Sequence, residues 1–375
     1  MNYFGLARTA QEIKAAQALA SSVFGEIGAL DPIAETKNKT FLWNEPGEPP
    51  LVVVAVLDDG RVVGVARLLQ RTLGRGGQAF SCMGFSSIAV DPAFQGQGLS
   101  VPLMEAALRV ARETDAAVGL LFGRRALDHY YTRFGFHGIS SYSRLRLQSL
   151  PKGDGVVLHP MLELTDELLF HFQALHSQCY RATFGWIERS LDMWRFQMLK
   201  MHRERVEVMV INWQQRMVGY LIHHGGVIHE IAVAKGVPWE IVLGQVAAVS
   251  QEEALVVEIP PEHPALAALA RLDFTLETRQ CDFGGHMMIV LNENRVCQAA
   301  EERVRHRARR AGLAPALESW DGVTIQWDGV EATVHRTGPM NFPALSRLMG
   351  AKTLTQISGI LDPALCFHVS LPDHF

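Results

Sequence analysis

Several features that would place a protein in a class at sight are scarce here. The 375 residues include five cysteines, Cys82, Cys179, Cys281, Cys297 and Cys366. No two form Cys-x-x-Cys and the number is odd, so neither a disulfide framework nor a thiolate metal set is indicated, and a reducing, cytoplasmic setting is expected. No apolar run approaches the roughly 18 residues that a membrane helix needs. Met1-Asn2-Tyr3-Phe4-Gly5 lacks the basic-then-apolar order of a leader. Excess charge of one sign is also missing: a net charge of -4 and a pI near 6.4 give no global field for nucleic acid or anionic lipid, so neither is expected as a partner. His223, His224 and His229 stand on strand-like stretches whose alternation separates them, with no Cys or carboxylate completing a set, so no metal is expected. Cys82 beside Met83 reads as core rather than nucleophile. There is no Gly-x-Gly-x-x-Gly, no Gly-Lys-Ser/Thr and no Gly-x-Ser-x-Gly.

What remains is long enough for two or three domains. Thr9-Ala10-Gln11-Glu12 reads as a capping box, with Thr9 accepting from the Glu12 amide and the Glu12 carboxylate reaching back to the amide of Thr9. Ile13, Ala16, Ala20, Val23, Phe24 and Ile27 then recur at helical spacing. Leu51–Leu57 and Arg61–Leu69 flank the turn signal Asp58-Asp59-Gly60 and predict a hairpin. Gly74-Arg75-Gly76-Gly77 predicts a break. Phe85–Val90 predicts a third strand, Leu103, Met104, Ala107, Leu108 and Ala111 a helix, Ala117–Phe122 a buried strand and Ala126–Arg133 a short helix. This order makes an α/β layer around a mixed sheet.

The sharpest local signal is Val90-Asp91-Pro92-Ala93-Phe94-Gln95-Gly96-Gln97-Gly98-Leu99-Ser100. A strand ends and a glycine-rich turn opens a helix, with Pro102 in the first turn, where a missing amide costs little. Successive amides at a helix N-terminus can cradle a pyrophosphate, and Gly96 and Gly98 permit its approach. A tight strand-to-helix connection would look the same. The segment resembles the acetyl-CoA signature of GNAT acetyltransferases, Gln/Arg-x-x-Gly-x-Gly/Ala, with Gln95, Gly98 and Ser100 at the defined positions and Ser100 departing from Gly or Ala. The resemblance implies that Gln95, Gly96, Gln97, Gly98, Leu99 and Ser100 hold acetyl-CoA, and that Ile88, Ala89 and Val90 pair with its pantetheine arm as an added strand. About thirty residues on, His129-Tyr130-Tyr131-Thr132-Arg133-Phe134-Gly135-Phe136 resembles the family's Tyr-x-x-x-Gly-Phe/Tyr ending, in which the tyrosine, here Tyr131, faces the thioester sulfur. The alternative for Tyr131 is an amphipathic core tyrosine.

The chain also repeats itself. Arg61-Val62-Val63-Gly64 matches Arg216-Met217-Val218-Gly219, Ile88-Ala89-Val90 matches Ile231-Ala232-Val233, and Arg133-Phe134-Gly135-Phe136 is echoed by Arg271-Leu272-Asp273-Phe274. The matches are short, but they keep their order. Strands at Val206–Ile211, Met217–His223, Val227–Val233 and Ala254–Ile259 and helices at Trp239–Ser250 and Ala265–Arg271 are predicted for this copy. Its turn, Ala234-Lys235-Gly236-Val237-Pro238-Trp239, lacks the second glycine, Trp239 would obstruct a phosphate, and Leu269 stands where Tyr131 would. Pro151-Lys152-Gly153-Asp154-Gly155 reads as the linker. Beyond Asn292, Arg303, Arg305, Arg307, Arg309 and Arg310 suggest a basic helix, a solvated face more readily than a nucleic-acid patch. Strands at Val323–Trp327 and Val330–Val334 and a helix at Phe342–Met349 follow. The order resembles the enhanced-intracellular-survival subgroup of GNAT enzymes. The expected fold is therefore α/β, with tandem GNAT-like mixed-sheet domains at 1–150 (active) and 151–290 (degenerate) and a small α+β sterol-carrier-like domain at 291–375.

The chemistry implied is direct acetyl transfer from acetyl-CoA to a primary amine, with Tyr131 as general acid. In the resembling subgroup the chain's own terminal carboxylate enters the active site, which would here be that of Phe375; a frayed terminus is the alternative. Glu26, Asp31 and Glu35 could favour a small cationic acceptor. Self-association stays open, as do two other classes: a non-catalytic acyl-CoA sensor and a lipid carrier.

Overall fold

A computed structural model describes residues 3–28, 39–75, 78–123, 127–138, 141–147, 153–183, 185–250, 255–260, 263–269, 274–280, 285–292, 295, 314–318, 322–327 and 330–335. In chain order, β1 (Tyr3–Leu6) leads to α1 (Ala10–Gly28). Thr9 Oγ1 accepts from the Glu12 amide at 3.1 Å, one arm of the expected capping box, but the Glu12 carboxylate takes the amide of Arg8 (2.6 Å) and its guanidinium (2.8 Å) rather than the amide of Thr9. A 3-10 turn at Lys39–Asn44 precedes the hairpin of β2 (Leu51–Val56) and β3 (Val62–Arg75). Gly60 closes the turn at φ +83°, which a residue with a Cβ rarely adopts. Then come β4 (Gln78–Val90), α2 (Ser100–Arg112), β5 (Val118–Gly123), α3 (Asp128–Thr132), β6 (His137–Gly138) and β7 (Ser141–Leu147). On α2 the residues read as apolar from the sequence, Leu103, Met104, Ala107, Leu108 and Ala111, are buried.

The second run holds β8 (Val156–Pro160), α4 (Asp166–Tyr180), β9 (Trp186–Ile187), α5 (Leu191–Arg203), β10 (Glu207–Trp213), β11 (Arg216–His224) and β12 (Val227–Val233). It continues with α6 (Trp239–Ser250), β13 (Leu255–Ile259), α7 (Pro264–Leu269), β14 (Phe274–Gln280) and β15 (Gly285–Val290). Thr165 and Ser190 cap α4 and α5, each side chain accepting an amide at 3.2 Å. A three-stranded antiparallel sheet of β16 (Ala314–Glu318), β17 (Gly322–Trp327) and β18 (Val330–His335) comes last. The helices expected at Arg303–Arg310 and Phe342–Met349 lie outside the described residues.

Two larger mixed sheets carry the fold. The first runs β1-β2-β3-β4-β5-β15-β6, with β9 added to β3; the second runs β14-β7-β13-β12-β11-β10-β8. Both share one plan. An antiparallel ladder, β2-β3-β4 or β10-β11-β12, meets one parallel partner, β5 or β13, across the helix α2 or α6. The sheets also exchange strands: β15 completes the first by pairing with β5, and β7 completes the second by pairing with β13.

The break expected over Gly74-Arg75-Gly76-Gly77 falls between β3, which ends at Arg75, and β4, which begins at Gln78. β3 runs through Gly74, which serves a close approach: a Cβ there would lie 2.2 Å from Cε3 of Trp186, on the strand β9 that pairs with it. The predicted Ala126–Arg133 helix shortens to α3.

Candidate functional site

The site begins where two parallel strands part. β4 pairs with β5 from Cys82↔Val118 to Phe85↔Leu121 and no further. At that point β4 carries a bulge opposite β3, with Ser87 at φ +50°, and Ser86, Ser87 and Ile88 are half-buried. From residue 86 to 90 the β5 side of β4 has no strand partner among the described residues. Gln95 Nε2 donates to the Val90 carbonyl at 3.2 Å, so Val90 faces that side. Groups two residues apart leave a strand on the same edge, which turns the N–H and C=O of Ile88 into the opening.

The glycine-rich turn follows directly. Asp91 accepts from the Ala93 amide at 2.9 Å and fixes a 3-10 turn at Pro92–Phe94. Gly96 and Gly98 follow at φ +76° and +77°, and a Cβ on either would meet nothing within 4 Å, so the space before them is open. Gln95, Gly96, Gln97 and Gly98 are exposed. Leu99 and Ser100 begin α2, and unlike α4 and α5 this helix has no side-chain cap. Its first amides and the positive end of its dipole therefore face the glycine turn. That is a cradle an extended diphosphate ligand fits: open glycines, uncapped amides and a free strand edge leading inward.

Tyr131, on α3, is 7% exposed and belongs to the core between α2 and the sheet. Its ring meets Tyr130 (5.1 Å) and Phe136 (6.3 Å) edge-on, and its carbonyl accepts from the amides of Phe134 and Phe136, which pins the helix end. A Cβ on Gly123, at the end of β5, would lie 3.7 Å from Tyr131 Cδ2. Tyr130, which the sequence reading passed over, donates its hydroxyl to the Ser100 carbonyl at 2.9 Å and ties α3 to the first turn of α2. Burial raises its pKa. The tyrosine pair thus links the end of β5 to the turn. Phe375, Asp31 and Glu35 lie outside the described residues.

The second sheet parts in the same way, since β12 pairs with β13 only at Val227↔Val256 and Ile228↔Val257. Here the opening is plugged by the chain itself. Tyr180 Oη accepts from the Ile231 amide at 3.0 Å and donates to the Ile231 carbonyl at 3.1 Å, the two bonds an added strand would make. His263 Nδ1 accepts from the Ala265 amide at 3.2 Å, which leaves Nε2–H to donate to the Ile231 carbonyl at 3.0 Å. Gln178 Nε2 donates to the Val233 carbonyl at 3.3 Å. Trp239, expected to obstruct a phosphate, is buried in the core with its ring against His263 at 5.2 Å.

Beside the plug lies a buried ion pair with no counterpart in the sequence reading. Arg189 donates twice to Glu230, at 2.9 and 2.7 Å, and Tyr220 donates to Glu230 at 2.6 Å. His176 Nε2 is 3.9 Å from the same carboxylate, and its Nδ1 accepts from Trp186 at 3.2 Å. Burial works to raise the Glu230 pKa, yet Arg189, His176 and Tyr220 together hold it down to about 2. Of the three strand histidines, His223 pairs with Glu207 and His229 with Glu258. Among the described residues no group of metal-ligating side chains assembles. Cys82 is fully buried and its thiol is pushed up to about 12 by desolvation, which makes it a poor nucleophile.

Comparison with known proteins agrees with this geometry. Residues 7–139 match the family model described as an acetyltransferase (GNAT) domain. Residues 7–139 are a GNAT acetyltransferase domain. No curated protein sequence matches the chain significantly. Similar solved structures include a GCN5-related N-acetyltransferase from Anabaena variabilis (TM-score 0.60, 14% identity, 100% of both chains) and Eis1 from Mycobacterium abscessus (TM-score 0.57, 13% identity, 100% of both chains). A probable N-acyltransferase from Enterococcus faecalis V583 follows (TM-score 0.57, 12% identity, 78% of this chain and 73% of that one). At these identities the likeness is one of fold. It spans both sheets, so the GNAT domain is one part of a larger shared architecture. Among the described residues no helix is long and apolar enough to cross a membrane.

Proposed function

We propose that this chain transfers the acetyl group of acetyl-CoA to a primary amine on a small molecule, and does so at the first sheet alone. The observation that carries this reading is the parted edge of β4 running into two open, positive-φ glycines and an uncapped helix. Ile88, Ala89 and Val90 are the strand edge for the pantetheine arm. Gln95 steadies the turn through Val90, and Gly96, Gln97, Gly98, Leu99 and Ser100 offer their amides to the pyrophosphate. When bound, acetyl-CoA supplies an acyl group already activated as a thioester.

Tyr131 is the proton donor in this reading. A phenol with an ordinary pKa near ~10 stays protonated at neutral pH, so it can carry a proton to a departing thiolate. Its burial keeps water from competing for that proton. The second sheet is a wall rather than a site, because Tyr180 and His263 occupy the backbone groups a ligand would use. The test is acetyl-CoA-dependent thiol release over a panel of amines. Release that depends on the amine supports the reading. Tight acetyl-CoA binding without release from any amine would favour a sensor instead.

A further inference from the structure

We propose that the acceptor amine also carries a carboxylate, and that Arg67 is the residue that binds it. This rests on the reading of the first sheet as the transfer site.

The argument starts from the face of that sheet turned away from α2. Met83, Phe85, Leu121, Met287 and Ile289 join the α2 core, so their strand neighbours point the other way. On that other face, register sets four residues side by side. Arg67 on β3 lies opposite Ser86 on β4, Ser86 follows the last pair that joins β4 to β5, and Phe122 on β5 lies opposite His286 on β15. The row crosses the sheet at the level where β4 and β5 part. Arg67 is one strand from the parting, roughly 5 Å. The row is exposed at Phe122, 44% exposed with its ring edge-on to the buried His286 at 5.1 Å, half-buried at Ser86 and buried at Arg67. An acceptor that reaches a thioester lying in the parting from this face must pass along the row.

Arg67 is unusual among the groups there. The residue is 2% exposed, and Val52 across the strand pair and Trp43 flank it, the guanidinium carbon lying 5.2 Å from the Trp43 ring centre. Among the described residues its one carboxylate contact is a long one, Nη2 to Glu45 Oε2 at 3.4 Å, and Glu45 gives its other oxygen to Arg71 in a shorter bond. The Nε–H of Arg67 has no hydrogen-bond partner among the described residues. A buried guanidinium that shares its carboxylate and leaves a donor unused is strongly disfavoured unless an anion completes it. Desolvation lowers its pKa to about 10, consistent with incomplete compensation. A planar fork with an unused Nε–H fits a carboxylate edge-on, and the indole face holds the fork in place.

The chemistry balances with such an acceptor. The amine nitrogen, as free base, bonds to the acetyl carbon as the carbon–sulfur bond breaks; Tyr131 protonates the thiolate, the proton shed by the nitrogen passes to solvent, and Tyr131 regains a proton from solvent before the next turnover. The carboxylate takes no part in bond making and fixes position only.

The test uses the full chain and three pairs of acceptors that differ by one carboxylate: L-lysine and cadaverine, L-phenylalanine and phenethylamine, L-ornithine and putrescine. Wild-type protein is expected to prefer the acid in at least one pair by tenfold or more in kcat/KM. Arg67→Gln is expected to cut the acid's kcat/KM by roughly 10–100-fold, as for a charge-assisted pair, and leave its decarboxylated partner within about twofold. Calorimetry of the same acid into the CoA-saturated protein gives a second readout, with binding lost in Arg67→Gln and partly kept in Arg67→Lys. Equal rates within every pair, or an equal loss on both members in Arg67→Gln, would overturn the proposal while leaving acetyl transfer intact. If no amine is acetylated and none of the acids binds, the proposal falls along with the transfer reading. Acetyl-CoA binding once per chain would still stand apart from both.

Discussion

At the residue scale the site divides into groups that speak locally and groups that speak only through the fold. Gly98 is of the first kind. Its φ of +77° and the open space before it predict that Gly98→Trp abolishes acetyl-CoA binding by calorimetry, through strain and occupation of the cradle. Tyr131 is also local, since its motif marks it. Tyr131→Phe keeps the ring's contacts with Tyr130 and Phe136 and removes the proton donor, so kcat should fall by ~10²–10⁴-fold with acetyl-CoA affinity little changed. An unchanged kcat with a good acceptor would make Tyr131 a packing residue only. Glu230 and Arg189 are of the second kind. Forty-one residues apart, they meet because α4, α5 and β12 pack together, and nothing in their local sequence announces a pair. Glu230 sits below its ordinary 4.5, at about 2, so its stabilising contribution is fully present above about pH 5 and is lost as pH falls from 4.5 through 2. Glu230→Gln should flatten that acid limb in urea unfolding, and should cost about 3–5 kcal/mol at pH 7 by stranding Arg189.

At the scale of elements, periodicity found most of the strands and helices around the site. β12 and α6 fall at Val227–Val233 and Trp239–Ser250 as predicted, because apolar runs and clear turns bound them. α4 escaped notice although its buried residues are helically spaced. That face is Leu169, Phe172, His176, Cys179 and Tyr180, so polar residue types hide the apolar period. The plug of the second opening went unread for the same reason, since Tyr180 and His263 resemble ordinary core residues until the backbone of Ile231 is beside them. The strand exchange was illegible in principle. β15 looks like any buried strand, and only the tertiary fold says that its partner is β5. Gly119 tests that pairing. A Cβ there would lie 2.8 Å from both Ile289 Cγ2 and Phe85 Cε2, so Gly119→Val should destabilise the protein by about 1–3 kcal/mol in denaturant unfolding.

At the scale of the molecule, the exchanged strands and the β9 strap on β3 make the two sheets a joint structure. Residues 1–150 expressed alone would keep the whole proposed acetyl-CoA cradle yet leave β5 without β15, an unpaired edge prone to association. Size exclusion should show that fragment aggregated or unfolded. The first opening runs into two positive-φ glycines, whereas the second is filled by Tyr180 of the same chain. The most direct measurement is therefore the stoichiometry of acetyl-CoA binding to the full chain by calorimetry. One site per chain, lost in Gly98→Trp and unaffected by Tyr180→Phe, is the predicted result; two sites, or one that survives Gly98→Trp, would contradict the account.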